Sequence, residues 1–188
     1  MKKLNYFLVL FLMVSLGIHA QEDDVPSTTT DFGLKAGYTS LSLKVSVDGE
    51  SASDNVSGFY VGAFAELHIS ETFSLQPELY YSTYYDSGEN TSVLNVPIMA
   101  KYYVDERFAI FAGPQFDYLL EKEASEGIER FGIALAAGLA FDVTDQVLID
   151  LRYAFGLTNR LDAELPGLEQ FDVKTYFNYL HIGLGYRF

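Results

Sequence analysis

Hydrophobic and polar positions alternate along most of this chain, and the alternation comes in blocks. Between residues 57 and 69, one set of positions reads Phe59, Val61, Ala63, Ala65, Leu67, Ile69 and the other reads Tyr60, Gly62, Phe64, Glu66, His68. Side chains two residues apart share a face of an extended strand, so such a block predicts a strand with one apolar side. The same period predicts eight strands in all, at 32–47, 57–69, 73–85, 93–104, 108–120, 131–143, 147–157 and 175–188. Most are longer than the roughly 5–6 residues usual in soluble sheets and reach the 9–11 or so of a tilted membrane-spanning strand.

The connections alternate in kind. Ser70-Glu71-Thr72, Asp105-Glu106-Arg107 and Thr144-Asp145-Gln146 are tight, whereas 48–56, 86–92, 121–130 and 158–174 are long and polar. Tight turns on one rim and long loops on the other are the pattern of an outer-membrane barrel, with the tight turns in the periplasm.

The charges then separate two all-β architectures. A soluble barrel turns its apolar face inward around a ligand and its charges outward to water. Here the apolar faces of strands two to seven carry no charge. The opposite faces mix Glu66, Glu78, Lys101, Asp117, Asp142, Asp150, Arg152 and Arg187 with glycines and alanines, a poor lining for an apolar ligand. A lipid-facing Arg or Lys at the bilayer midplane would cost about 2–4 kcal/mol, so an uncharged apolar face suits acyl chains. The fold class expected is all-β, an eight-stranded antiparallel transmembrane barrel of the small OmpA/OmpX type. An open sheet edge in hydrocarbon would leave backbone groups unpaired, so strand eight should close on strand one.

Two features strain this reading. In strand one, Leu34, Ala36 and Tyr38 share a face, but Leu41, Leu43, Val45 and Val47 fall in the opposite phase. A bulge near Ser40 would restore the phase. Pro77, Pro97 and Pro114 lie inside strands, where each removes a ladder donor, so bulges or bends are expected there too.

The N-terminus adds a targeting segment. Lys2 and Lys3, an apolar stretch from Leu4 to Ile18, and Ala20 before the acidic run at 21–24 predict a cleaved signal peptide at 1–20. A flexible periplasmic tail at 21–31 and the barrel at 32–188 follow. Removing two lysines and no acids moves the formal charge from −14 to −16, which argues against nucleic acid as a partner. With no cysteine in the chain, disulfides and a lipidated N-terminal cysteine are excluded.

The stretches "VLNVPIMAKYYV" (93–104), "FAGPQFDYLL" (111–120) and "LIDLRYAFGLTN" (148–159), with the signal peptide and Phe188, resemble the PorT-like outer-membrane β-barrel domain family. The resemblance implies a small Gram-negative outer-membrane barrel. It also implies a meaning for Leu180, Ile182, Leu184, Tyr186 and Phe188, which match the final-strand signal that the barrel-insertion machinery reads.

Candidate chemistry is sparse. Glu66, His68 and Ser70 suggest an acid–His–Ser set for a membrane-embedded lipid-modifying enzyme, but they lie beside a tight turn and on an inward face, so no catalytic residue is assigned. No spacing indicates a metal or cofactor site. Glu66, Glu78, Lys101, Asp117, Asp150, Arg152 and Arg187 are expected to form an interior polar network, because buried charge is tolerated only when paired. Tyr80, Phe111, Phe177 and Tyr179 should help fill the lumen, and Tyr81, Tyr84, Tyr85, Tyr102, Tyr103, Tyr118 and Tyr176 should form the interfacial girdles. The outer loops hold 13 of the 26 acids. Leu165, Leu168 and Phe171 in the last loop are the candidate contact for an envelope protein partner. The expected role is structural or interactive, in a monomer surrounded by outer-membrane lipids, with a narrow ion or solute channel as the alternative.

Overall fold

The computed structural model describes residues 29–47, 50–86, 89–120, 128–161 and 173–188. The predicted signal peptide, most of the predicted tail, and Leu165, Leu168 and Phe171 lie outside these residues. The strands are β1 (Thr30–Val47), β2 (Glu50–His68), β3 (Phe73–Asp86), β4 (Glu89–Tyr103), β5 (Phe108–Leu119), β6 (Phe131–Asp142), β7 (Val147–Gly156) and β8 (Val173–Arg187). Each pairs antiparallel with its sequence neighbours and β8 pairs with β1, closing the barrel.

Following paired residues around the wall gives Thr30, Leu67, Leu75, Ala100, Ala112, Ala137, Tyr153, Leu180 and then Ser40. The path returns to β1 ten residues along from its start. Eight strands with that stagger tilt by about 40° and enclose a space that side chains just fill.

The register corrects two expectations. β1 pairs without interruption from Thr30↔Leu67 to Val47↔Glu50, so there is no bulge near Ser40. The phase break has another cause. Leu41 stays on the inward face and is buried with Tyr84, Phe177 and Tyr179 in an apolar cluster, so the upper lumen itself takes the leucine. Around the three prolines a few ladder pairs are missing, yet pairing resumes in the same register on both sides, as in Phe64↔Glu78 and Leu67↔Leu75. Each proline thus costs ladder bonds without inserting a residue.

Two expected loops are also corrected. Most of 48–56 belongs to β2, and most of 86–92 to β3 and β4. These segments are mostly polar because they rise beyond the apolar belt. Backbone pairing keeps them extended there, with Val56 packed against the apolar cluster of the lumen and Ser92 accepting from the Tyr81 hydroxyl at 2.9 Å.

The three tight turns share one device. Ser70 Oγ accepts from the Phe73 amide at 3.1 Å, Asp105 Oδ1 from the Arg107 and Phe108 amides at 2.8 and 2.7 Å, and Thr144 Oγ1 from the Val147 amide at 3.0 Å. A short polar side chain satisfies amides that the reversing ladder leaves open. In the exposed second turn, those two amide hydrogen bonds hold the Asp105 carboxyl below its ordinary pKa.

Candidate functional site

Small residues on the inward faces make room for long charged ones. A Cβ on Gly183 would lie 2.1 Å from Tyr60 Oη and 2.3 Å from Asp150 Oδ1. A Cβ on Gly132 would meet the Arg160 guanidinium. The lumen is therefore occupied to contact, and its charges fall into three clusters along the axis.

Nearest the tight-turn rim, Glu66 is fully buried. It pairs with Lys101 Nζ at 3.0 Å and Arg187 Nη2 at 3.1 Å, and accepts from the Ser74 and Tyr103 hydroxyls at 2.7 Å each. Arg187 also reaches Asp142 at 3.4 Å.

At mid-barrel, Lys35 Nζ bridges Glu78 at 3.1 Å and Asp150 at 2.9 Å. Arg152 Nη2 pairs with Glu78 at 2.7 Å and lies 3.7 Å from Asp150. Gln76 and Tyr80 also donate to Glu78. The Arg152 guanidinium packs over Phe111 and Tyr80, 5.1 and 5.4 Å from the ring centres. Two cations thus offset two buried acids, which is the condition for placing charge there.

Towards the rim opposite the tight turns, Asp117 pairs with Arg160, whose guanidinium lies 4.6 Å from the centre of the Phe177 ring. Beside them Gln115 donates to Asn95 at 3.2 Å, Asn95 to Ser82 at 3.1 Å, and Thr39 and Tyr84 share a 3.1 Å bond.

All seven residues expected in the interior network point inward; Gln76, which accepts from Lys101 at 3.5 Å and donates to Glu78, links the first two clusters, while Asp117 pairs with Arg160 nearer the other rim. Two partners escaped the sequence reading. Lys35 lies on β1, where Leu34, Ala36 and Tyr38 share the outward face and leave Lys35 to the inward one. Arg160 lies in a segment read as loop, where no face was assigned. The inward phase of Gly33, Lys35 and Gly37 was the available signal for the first.

Two girdle tyrosines are corrected. Tyr84 is buried in the lumen and Tyr103 bonds Glu66, because both stand on inward positions. Tyr81, Tyr85, Tyr102 and Tyr118 do face outward.

Glu66, His68 and Ser70 do not assemble as a catalytic set. His68 Nε2 pairs with Asp31 at 3.0 Å, Glu66 is held by Lys101 and Arg187, and Ser70 caps its turn. Among the described residues no group of three His, Cys, Asp or Glu could hold a metal ion. Leu180, Ile182, Leu184 and Tyr186 share the outward face of β8, and the Phe188 amide donates to Phe32 O at 2.9 Å.

The exterior completes the picture. Phe32, Leu34, Phe59, Val61, Leu79, Ile110, Leu135, Leu151, Ile182 and Leu184 stand exposed in a continuous apolar belt, which only lipid can cover around a closed barrel. Ail, the attachment invasion locus protein of Yersinia pestis, has a similar fold, with a TM-score of 0.50 at 18% identity over 84% of this chain and 98% of that one. Neisserial surface protein A gives 0.49 at 17% identity over 85% and 99%. OprG from Pseudomonas aeruginosa gives 0.44 at 14% identity over 86% and 97%. No curated protein sequence matches the chain. Residues 19–162 match the family model described as "Outer membrane protein beta-barrel domain". With its apolar belt and closed eight-stranded wall, the chain belongs to that family and is a protein of the outer membrane.

Proposed function

We propose that this protein is a filled, non-conducting barrel with a structural or interaction role in the envelope, and not an enzyme. The observation that carries this is the lumen: three ion-pair clusters and the buried rings of Tyr60, Phe64, Tyr80, Phe111, Phe177 and Tyr179 occupy its length. A lumen so packed transmits little, and the barrel serves best as an anchor for what its long loops present. In this proposal the chain is exported with cleavage near residue 20 and stands with its tight turns in the periplasm. Its β8 face ending on Phe188 serves the insertion machinery. A place in the PorT-like branch and a partner contact at Leu165, Leu168 and Phe171 are part of the same proposal, supported by the sequence stretches quoted above.

The test is electrical. Refolded protein in planar bilayers is expected to show no discrete current steps. Steps that change when Lys101 or Asp150 is replaced would overturn the filled-lumen reading. They would favour the second one, a narrow conduit for ions or small solutes. What speaks for that conduit is a set of buried polar atoms without protein partners at mid-barrel, namely Asp150 Oδ1, Arg152 Nε and both ring nitrogens of His181.

A further inference from the structure

From Glu50 to Val56, β2 pairs with β1 alone. Its ladder with β3 starts only at Ser57↔Tyr85, because β3 reaches Asp86 and turns back into β4 at Glu89. β8 stays paired with β1 as far as Val47↔Val173. The three strands therefore rise as one sheet beyond the rim opposite the tight turns, and that sheet has two edges.

The β8 edge is sealed. The Arg160 amide donates to Thr175 O at 2.7 Å, the Thr175 amide to Asn159 Oδ1 at 2.9 Å, and the Gly156 amide to Asn178 Oδ1 at 3.0 Å. The β2 edge is open. In an antiparallel ladder the backbone groups of successive residues turn to opposite neighbours. The His68 amide donates to Thr29 O, just before β1, so even-numbered residues of β2 face β1, and the unbroken register carries that parity upward. Ser51, Ser53 and Asn55 thus turn their backbone groups to the side that β3 has left. There the Asn55 amide donates to Asp54 Oδ1 at 2.9 Å, so a carboxylate oxygen stands in for the carbonyl of a neighbouring strand.

Lysine, proline or a bulge commonly blunts such an edge. Residues 50–56 contain neither residue, and their pairing with β1 is unbroken. Ala52, Ser53, Asp54 and Asn55 are exposed, and their short side chains leave the backbone within reach. Acyl chains do not cover it, because the outward face of β2 has already changed from Phe59 to Ser57 below. A strand added here would set alternate side chains beside Ala52, Asp54 and Val56 on the inner face. Val56, and Leu43 across from Asp54, pack against the apolar cluster of the lumen, so apolar side chains suit that face, with one cation for Asp54. A second copy would bring another Asp54 and another formal charge of −14 to the same edge, which favours a basic partner instead.

We propose that the upper edge of β2 takes up a strand of another protein, an extended segment alternating apolar with hydroxyl side chains and carrying a lysine or arginine opposite Asp54. The proposal deepens the interaction role given under Proposed function and rests on its orientation for placing this edge outside the cell. It does not depend on whether the lumen conducts.

The test uses the mature chain refolded in phosphatidylcholine nanodiscs and a fluorescent peptide, Thr-Val-Thr-Lys-Thr-Val-Thr, with binding read by anisotropy. Saturable binding is expected. Ser53→Pro, which removes an edge amide and leaves the β1 ladder intact, should weaken it about tenfold. Asp54→Asn should weaken it about threefold and remove its dependence on salt. Methylating one alternate set of peptide amides should abolish binding, and methylating the other set should leave it. Absence of saturable binding, or equal binding by both methylated peptides or by a folded Ser53→Pro variant, would overturn the site. Ser53→Cys that cross-links two copies in lipid would assign the edge to a second copy and also overturn it. Heat-modified gel mobility shows whether each variant is folded, and the methylated peptides decide on the unaltered chain if Ser53→Pro is not. Loss of peptide binding in a folded, electrically silent barrel would count against this edge alone, and current steps with binding intact would count against the filled lumen alone.

Discussion

Glu66 shows how much depends on single carboxylates in this lumen. It answers two cations and two hydroxyl donors at once. Glu66→Ala would leave Lys101 and Arg187 buried against each other's charge without that acceptor. Removing one member of a buried pair costs about 3–5 kcal/mol, whereas replacing paired members together with apolar groups of similar size is often near neutral. Unfolding in urea with detergent should therefore show Glu66→Ala strongly destabilised, and Glu66→Leu with Lys101→Met should recover much of the loss. A Glu66→Ala variant as stable as the parent would mean that water reaches this end freely. Glu66 and Lys101 were legible as inward residues from period two alone. That they meet each other was not, because they belong to different strands, and only the stagger of the wall sets which strand positions share a level.

Among the elements, the seam between β1 and β8 is where the barrel either closes or fails. Gly37 stands opposite Gly183 in that seam, and a Cβ on Gly37 would lie 2.1 Å from the carbonyl oxygen of Ile182. That is a clash with backbone, which cannot swing aside as a side chain can. Gly37→Val should lower unfolding stability by about 1–3 kcal/mol and reduce the folded fraction on gels, as overpacking does. Ala36→Val, next in sequence but facing lipid, should change little. Equal behaviour of the two variants would place the strain elsewhere. β1 is also the element the sequence misrepresents. Its leucines at 41 and 43 satisfy the upper lumen, and since lipid and lumen both accept leucine, alternation alone could not say which surface each meets.

At the scale of the whole molecule, the proposed orientation rests on connection length, and the chain's lack of cysteine makes it easy to probe. With Ser53→Cys on the polar extension of β2, an impermeant maleimide should label intact cells. With Glu106→Cys in the second tight turn, labelling should need a permeabilised outer membrane. The reverse pattern would invert the barrel. The alternation by itself determined the eight strands and, outside the upper half of β1, their two faces and the apolar exterior, because period two is a local property and lipid tolerates no charge on that side. Only the closed wall decided that Lys35 joins Glu78 and Asp150 and that Arg160 answers Asp117. These pairings depend on the ten-residue stagger accumulated over eight strands. It is a sum of inter-strand registers that no single stretch of sequence contains.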